Sequence, residues 1–482
     1  MGKKSAIVWF RSDLRLTDNP ALKAAVDAFD VLPVFIYDRE AEGDWPFGAA
    51  SRWWLHHSLA RLKESLEEIG STLIITEGKT VAILEELISQ TSAKAIFFNK
   101  RYEPAARKIE VELGETLDEL KVDCKAFDAN LLFPPSSILT KEGNPYKVFT
   151  PFWRAFPEPA KPIRKPSAIS TVSKLPASKA LDSLKLLPTI NWDEGIEAAW
   201  EPGEAGAQKQ LRAFLKEGVA EYKFGRNRPD RVLVSRMSPY LHFGEISPKN
   251  LWHAVQQKID SDGKAQGGGE CYLRELAWRE FAHNLLFSFP DTAEQPLRPE
   301  FKKFPWDSDD LLLKAWHRGN TGYPIVDAGM RELWTTGWMH NRVRMVVASF
   351  LVKDLLISWK EGAAWFWDTL VDADLSNNTL GWQWTAGCGA DAAPYFRVFN
   401  PMTQGEKFDP DGNYVRKWVP ELSKLRTKWI HKPWLAPSEE LVAAGITLGK
   451  DYPAPIVDHA AARHRALDAF ASIKTKQQAS VK

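Results

Sequence analysis

Cysteine is scarce in this chain: three in 482 residues. Cys124, Cys271 and Cys388 lie far apart and make no Cys-x-x-Cys pair. Structural disulfides, a zinc site of the usual spacing and an iron–sulfur cluster on four thiolates are therefore not expected. Metal chemistry is not expected either. No apolar run reaches membrane-spanning length and the first residues do not read as a signal peptide, so the expected setting is the cytoplasm, with no membrane partner. A surplus of one charge is also missing. Lys and Arg number 63 against 62 Asp and Glu, for a net charge of +1. Any polyanionic partner then needs a local patch, because the global field offers nothing. Internal repeats are absent. So is Gly-x-Gly-x-x-Gly, which removes the usual dinucleotide fingerprint. What the chain does have is apolar material for a large core (44%) and an excess of indole: 21 Trp against 10 Tyr. Ten of those tryptophans fall between residues 271 and 400.

Length suggests two or three domains. Over residues 1–130, short apolar runs (6–10, 31–37, 72–75, 95–98 and 122–127) alternate with helical patterns such as 20–29, where Asn19 reads as N-cap and Pro20 as the first helical residue. A second pattern, 50–69, stops at Gly70. Alternation of this kind predicts an α/β domain with a doubly wound parallel sheet, whose ligands bind beyond the carboxyl ends of the strands, near Arg11, Asp38 and 100–103. Residues 131–204 carry little periodicity and much proline, and read as a connector. From 205 to 482 strand patterns vanish. Helical runs at 205–217, 270–288, 325–336, 342–359 and 363–370 predict an all-α C-terminal domain, with a last helix near 459–473.

Three stretches carry polar chemistry. Asp372-Ala-Asp374-Leu-Ser-Asn377-Asn378-Thr-Leu-Gly-Trp382-Gln-Trp384 sets carboxylates and carboxamides beside indoles in an otherwise apolar region. Burying such groups without partners is costly, so a polar, flat ligand is one reading and a capped helix start with core tryptophans the other. Val234-Ser235-Arg236-Met237-Ser238-Pro239 suits a turn into a helix start, able to cradle phosphate or merely to cap a helix. In Tyr272-Leu-Arg274-Glu275-Leu-Ala-Trp278-Arg279, Glu275, Trp278 and Arg279 share one helix face. That face is either a solvated ion-pair face or the lining of a polar cavity. Asn341, Arg344 and Met345 form a second such face.

The first of those stretches, Asp372 to Trp384, resembles the DNA photolyase/cryptochrome family, as do Trp9-Phe-Arg11-Ser-Asp-Leu-Arg15, Tyr146-Lys-Val-Phe-Thr-Pro-Phe152 and Thr321-Gly-Tyr-Pro-Ile-Val-Asp327 through Met345. The resemblance runs over nearly the full chain and is closest to bacterial photolyases acting on cyclobutane pyrimidine dimers. It implies an antenna-binding α/β domain and a helical domain that binds FAD. By similarity Tyr222, Val234, Ser235, Arg236, Met237 and Ser238 hold the FAD phosphates. Tyr272, Glu275, Arg279, Asn341, Arg344, Asp372, Asp374 and Asn378 complete the cofactor set. Glu275, Asn341, Met345, Trp278 and Trp384 line the lesion pocket, and Arg226, Arg342 and Arg397 contact DNA phosphates. Trp382, Trp359 and Trp306 resemble the family's electron-hopping series, though core packing explains indoles there equally well. Tyr272 stands where many relatives have Trp. Asn378 is the photolyase residue where plant cryptochromes carry Asp, and Asn341 stands where enzymes acting on (6-4) photoproducts have His.

The reaction implied is light-driven repair of UV-damaged DNA by a monomer without an obligate protein partner. A cryptochrome-type blue-light photoreceptor is the alternative. Asn378, the lesion pocket and the lack of a long C-terminal extension speak against it. A third reading is a flavin-free nucleotide-binding scaffold. Asn99 to Glu103 resembles the folate region of bacterial photolyases, which implies 5,10-methenyltetrahydrofolate at Tyr102 and Glu103, with 8-hydroxy-5-deazaflavin as the alternative antenna. A plain helix N-terminus accounts for the same residues.

Overall fold

The computed structural model describes residues 3–392 and 396–479. Packing gathers the chain into two compact bodies, each assembled from separate stretches. The first comprises Met1–Ala220, Ser235–Pro290 and Val371–Leu375; the second comprises Glu221–Val234, Asp291–Leu370 and Ser376–Lys482.

The first body holds a five-stranded sheet: β1 (Ser5–Phe10), β2 (Asp30–Tyr37), β3 (Ile74–Glu77), β4 (Ala95–Asn99) and β5 (Asp123–Phe127). Every pairing is parallel and the order is β3-β2-β1-β4-β5, as the alternating pattern predicts. Ala6 to Phe10 are all buried, because helices cover both faces of the sheet and leave no polar side to a central strand. The crossover helices are α1 (Pro20–Ala28), α2 (Ala49–Glu67), α3 (Thr80–Thr91) and α4 (Pro104–Leu120). Asn19 caps α1 as expected, its side chain accepting from Leu22 N at 3.1 Å. Strand order reverses at β1, so the crevice lies at the carboxyl ends of β1 and β4. Arg11 there donates to Glu110 at 2.6 Å and lies 4.4 Å over Trp9.

Most of 131–204 is irregular, broken by short turns of helix such as α5 (Phe149–Arg154). The longest helix of this body is α6 (Gln266–Ser288), against which α5 packs.

The second body is helical among its described residues. The elements used below are α7 (Pro324–Thr336), α8 (Asn341–Ser349), α9 (Trp359–Thr369), α10 (Leu375–Ala386, whose first residue belongs to the first body) and α11 (His459–Ala479). The pattern over 342–359 predicts one helix; the chain instead makes α8, a π-type turn over Phe350–Asp354, and a break. The predicted run 363–370 is the later part of α9. Tertiary partners override the periodicity. Asp354 is fully buried and pairs with Nδ1 of His459 at 2.5 Å. Asp307 N donates to the Leu356 carbonyl at 2.8 Å, and Leu356 turns left-handed at φ 57°. Ser358 then caps α9, accepting from Lys360 N at 3.3 Å. Among the described residues no helix is long and apolar enough to cross a membrane.

Candidate functional site

In the first body α6 presents Tyr272, Glu275, Trp278, Arg279 and His283 at spacings of three and four, the arrangement that brings side chains onto one face. Tyr272 is buried against Phe214, with ring centroids 4.7 Å apart. Burial raises its hydroxyl pKa, and that hydroxyl is hydrogen-bonded to Ser235. The Ser235 carbonyl accepts from Gln210 at 2.8 Å. Arg236 adopts a left-handed backbone, φ 52°, and sets its guanidinium 4.1 Å over Trp200. Met237 is buried and Ser238 exposed, at the start of a five-residue helix. Half-buried Trp278 lies face to face with Phe149, centroids 3.7 Å apart. Arg279 donates to the Asn130 carbonyl at 2.9 Å.

The acidic pair opening α10 is buried: Asp372 is 8% exposed and Asp374 9%. Nε2 of His283 stands 3.5 Å from Asp374, and Nδ1 of His242 3.9 Å. Burial works to raise the Asp374 pKa, but the imidazoles and Arg279 hold it well below the usual carboxylate range. Burial lowers the His283 pKa, with Asp374 and Glu103 acting in the opposite direction. Glu103 joins the same group: Arg101 and His283 overcome its burial and keep it down at about 2. Its carboxylate accepts from Arg101 Nε at 3.3 Å and from Tyr102 N at 3.0 Å. The Tyr102 hydroxyl donates to Asp128.

In the second body α8 begins at an exposed Asn341. His340 precedes it as N-cap, its Nδ1 accepting from Arg342 N at 3.2 Å. Burial first, then Arg342 and Arg344, push this imidazole down to about 3, so it stays neutral and able to accept. Arg342 donates to Asn227 at 2.6 Å and lies 4.5 Å over Phe408. Its pKa is lowered by burial and by the guanidiniums of Arg226 and Arg397. Three predicted phosphate contacts are thereby gathered within electrostatic range. Half-buried Met345 offers its sulfur to Arg342 at 3.5 Å. Arg344 donates to the Met339 carbonyl at 2.7 Å. Tyr222 is buried, as the first residue of a four-residue helix.

Asn378 donates to the Ala363 carbonyl at 3.1 Å, which ties α10 to α9. Trp382 is 2% exposed and packs edge-on to Phe366, 5.0 Å between centroids. Its indole fills the notch at Gly362, where an added Cβ would fall 2.0 Å from it. Trp359 is buried at the first position of α9, one turn before Gly362. Half-buried Trp306 precedes Asp307, which bridges to Ile357 just ahead of Trp359. Trp359 thus lies at the start of α9, Trp306 beside the segment that leads into it, and Trp382 on α10 against its Gly362. Trp384 donates to the Asp391 carbonyl at 3.1 Å.

His242, His283 and Asn227 carry no role in the sequence reading. Only His283 left a trace there, four residues after Arg279 on the same helix face.

In the first body the donors and acceptors suit FAD: serine hydroxyls with a guanidinium for phosphate, and buried carboxylates for N–H and ribitol groups. Comparison with known proteins agrees. Residues 6–168 match the family model described as DNA photolyase, and 272–472 match the FAD binding domain of DNA photolyase. A deoxyribodipyrimidine photo-lyase of Agrobacterium fabrum is 49% identical over 473 residues, covering 97% of this chain and 98% of its own. Cryptochrome-1 of Arabidopsis thaliana is 41% identical over 497 residues, covering 99% of this chain and 72% of its own. The crystal structure of a bacterial class III photolyase from Agrobacterium tumefaciens superposes with a TM-score of 0.95 at 48% identity, covering 98% of each chain.

Proposed function

The chain belongs to the DNA photolyase/cryptochrome family, and from that premise we propose that it is a deoxyribodipyrimidine photo-lyase: a light-driven enzyme that splits cyclobutane pyrimidine dimers in UV-damaged DNA. The observation that carries this reading is the gathering of Arg226, Arg342 and Arg397 in a chain whose net charge is only +1. Guanidiniums gathered in this way suit an anion able to meet them together, and DNA phosphate is such an anion.

Bound FAD would supply the photoexcited electron that opens the cyclobutane ring and would take it back once the ring has split. The residues of this chain do the rest. Tyr222, Ser235, Arg236 and Ser238 hold its phosphates, and Asp374, kept ionised by its surroundings, accepts from ring or ribitol N–H and O–H groups. Asn378 faces the ring with a carboxamide whose N–H₂ is already engaged by Ala363. Being neutral, it tolerates the anionic reduced cofactor that repair requires. Trp278 and Trp384 stack on the flipped bases, where each base–indole stack is worth ~1–3 kcal/mol. Glu275 and Asn341 hydrogen-bond their edges. Extrusion costs least for a base already unpaired by damage, which favours the lesion. Trp382, Trp359 and Trp306 form the route by which electrons reach the cofactor from the surface.

In this scheme residues 1–130 serve an antenna, 131–204 connect and 205–482 hold FAD. The antenna is 5,10-methenyltetrahydrofolate, held at Tyr102 and Glu103. Mass spectrometry of chromophores released from the native protein decides between the folate and 8-hydroxy-5-deazaflavin. The test of function is blue-light treatment of a dimer-containing oligonucleotide with FAD-loaded, chemically reduced protein. Restored thymines are the result expected. Intact dimers, with the cofactor demonstrably reduced, would return the chain to the photoreceptor reading that its 41% identity with Cryptochrome-1 keeps alive.

A further inference from the structure

We propose that Phe149 is a positioning residue for lesion recognition: it fixes the plane of the Trp278 indole and leaves that indole only one face for a base. The proposal rests on the reading of Trp278 as a lesion-stacking residue. Phe149 lies in the run Tyr146 to Phe152, to which sequence analysis attached a family likeness but no role. The two rings are 3.7 Å apart at their centroids and within 9° of parallel. That is full face-to-face contact, closer than the offset or edge-on arrangements that aromatic pairs usually prefer.

The pair is held from several sides. Phe149 is 1% exposed. Phe281, on the next turn of α6, stands nearly perpendicular to both rings, 5.7 Å from Trp278 and 5.9 Å from Phe149. The Arg274 guanidinium sits 5.3 Å from the Phe149 centroid. An indole without such a backing would sample rotamers, and a base stacking on it would have to freeze them. Ordering a side chain in advance removes that cost from binding. With one face covered, the indole accepts a single base, from one side and in one plane. That geometry suits the rigidly joined bases of a dimer better than a freely rotating nucleotide.

The experiment is a double-mutant cycle on the FAD-loaded protein, with Phe149→Leu, Trp278→Ala and the two combined. Affinity is measured for a dimer-containing oligonucleotide and for the same sequence undamaged. Phe149→Leu keeps the apolar volume but loses the flat ring. It is expected to lower the preference for dimer DNA by about threefold to tenfold, with FAD content retained. The double variant should then be no worse than Trp278→Ala, because Phe149 acts only through the indole. Additive losses would overturn the proposal. So would an unchanged preference in Phe149→Leu alongside a loss in Trp278→Ala, which leaves the lesion role of Trp278 standing. If Trp278→Ala itself leaves the preference untouched, the stacking reading of Trp278 fails first and the proposal falls with it. Should Phe149→Leu not retain FAD, Phe149→Met takes its place, its flexible chain filling the same volume without a ring face.

Discussion

Arg342 shows at the scale of one residue how a nearly neutral chain prepares to meet a polyanion. Its guanidinium is steered by Asn227 and backed by Phe408, so its direction is set before any ligand arrives. Replacement by Ala should weaken binding to damaged and undamaged DNA alike and reduce the slope of log K against log salt by about one. A slope equal to the wild type would remove Arg342 from the phosphate contacts. The tryptophans divide by position. Trp382→Phe should nearly abolish photoreduction of FAD by an external thiol, and Trp306→Phe should cut its yield strongly, while dithionite-reduced protein keeps its repair in both. Flavin bleaching under blue light measures the first property and dimer splitting the second; wild-type bleaching in Trp382→Phe would make the indole a core residue only. Single residues were legible where their chemistry is local, as with the run from Asp372 to Trp384. The partners of Asp374 were not. His242 and His283 come from segments far from Asp374 in sequence, and no spacing announces that folding brings both to one carboxylate.

Helices α9 and α10 meet where Trp382 closes on Gly362, and glycine is required there by space alone. Gly362→Ala should push the indole aside, at a cost of about 1–3 kcal/mol for overpacking. A lower thermal midpoint and slower photoreduction should therefore appear together, with repair by reduced protein less affected. A faster or unchanged photoreduction would mean that the position of Trp382 does not limit electron entry. The same region shows why helix periodicity reads through to 359 and the chain does not follow. A buried Asp354–His459 pair, a strand-like bridge at Ile357 and a left-handed Leu356 are each set by residues far away in sequence. By contrast the strands were legible because a parallel strand covered on both faces must be a continuous apolar run, and α1 was legible because Asn19 and Pro20 mark its start.

For the whole molecule, the most testable consequence of burial is at Glu245. It is fully buried and accepts from Trp54 Nε1 at 3.1 Å, from Gly203 N at 2.6 Å and from Ser58. Burial outweighs these bonds and pushes its carboxyl up to about 8 from an ordinary 4.5. Between those two values the folded state holds a proton that the unfolded state has lost. The contribution of this carboxyl to stability therefore falls as pH rises across that window, by on the order of a few kcal/mol, and levels off above it. Glu280, raised to about 7 by burial, acts in the same direction. Glu245→Gln should remove this falling component from a pH series of thermal midpoints while lowering stability at the acid end, where its amide cannot accept from every donor. A difference in midpoint between wild type and Glu245→Gln that does not shrink from pH 5 to 8 would contradict the assignment, since the buried imidazoles that act in the opposite direction, such as His340, are common to both. The strip Val371–Leu375 carries a different consequence, for biosynthesis. It belongs to the first body although the chain on either side belongs to the second. A ribosome that has released the first 290 residues has therefore not yet delivered Asp374, and the imidazoles and Arg279 that face it in the native state wait without that carboxylate. Neither body is a continuous stretch of polypeptide. Truncation or nicking between 291 and 370 would not yield a smaller working unit, and the protein commits to its native form only late in synthesis.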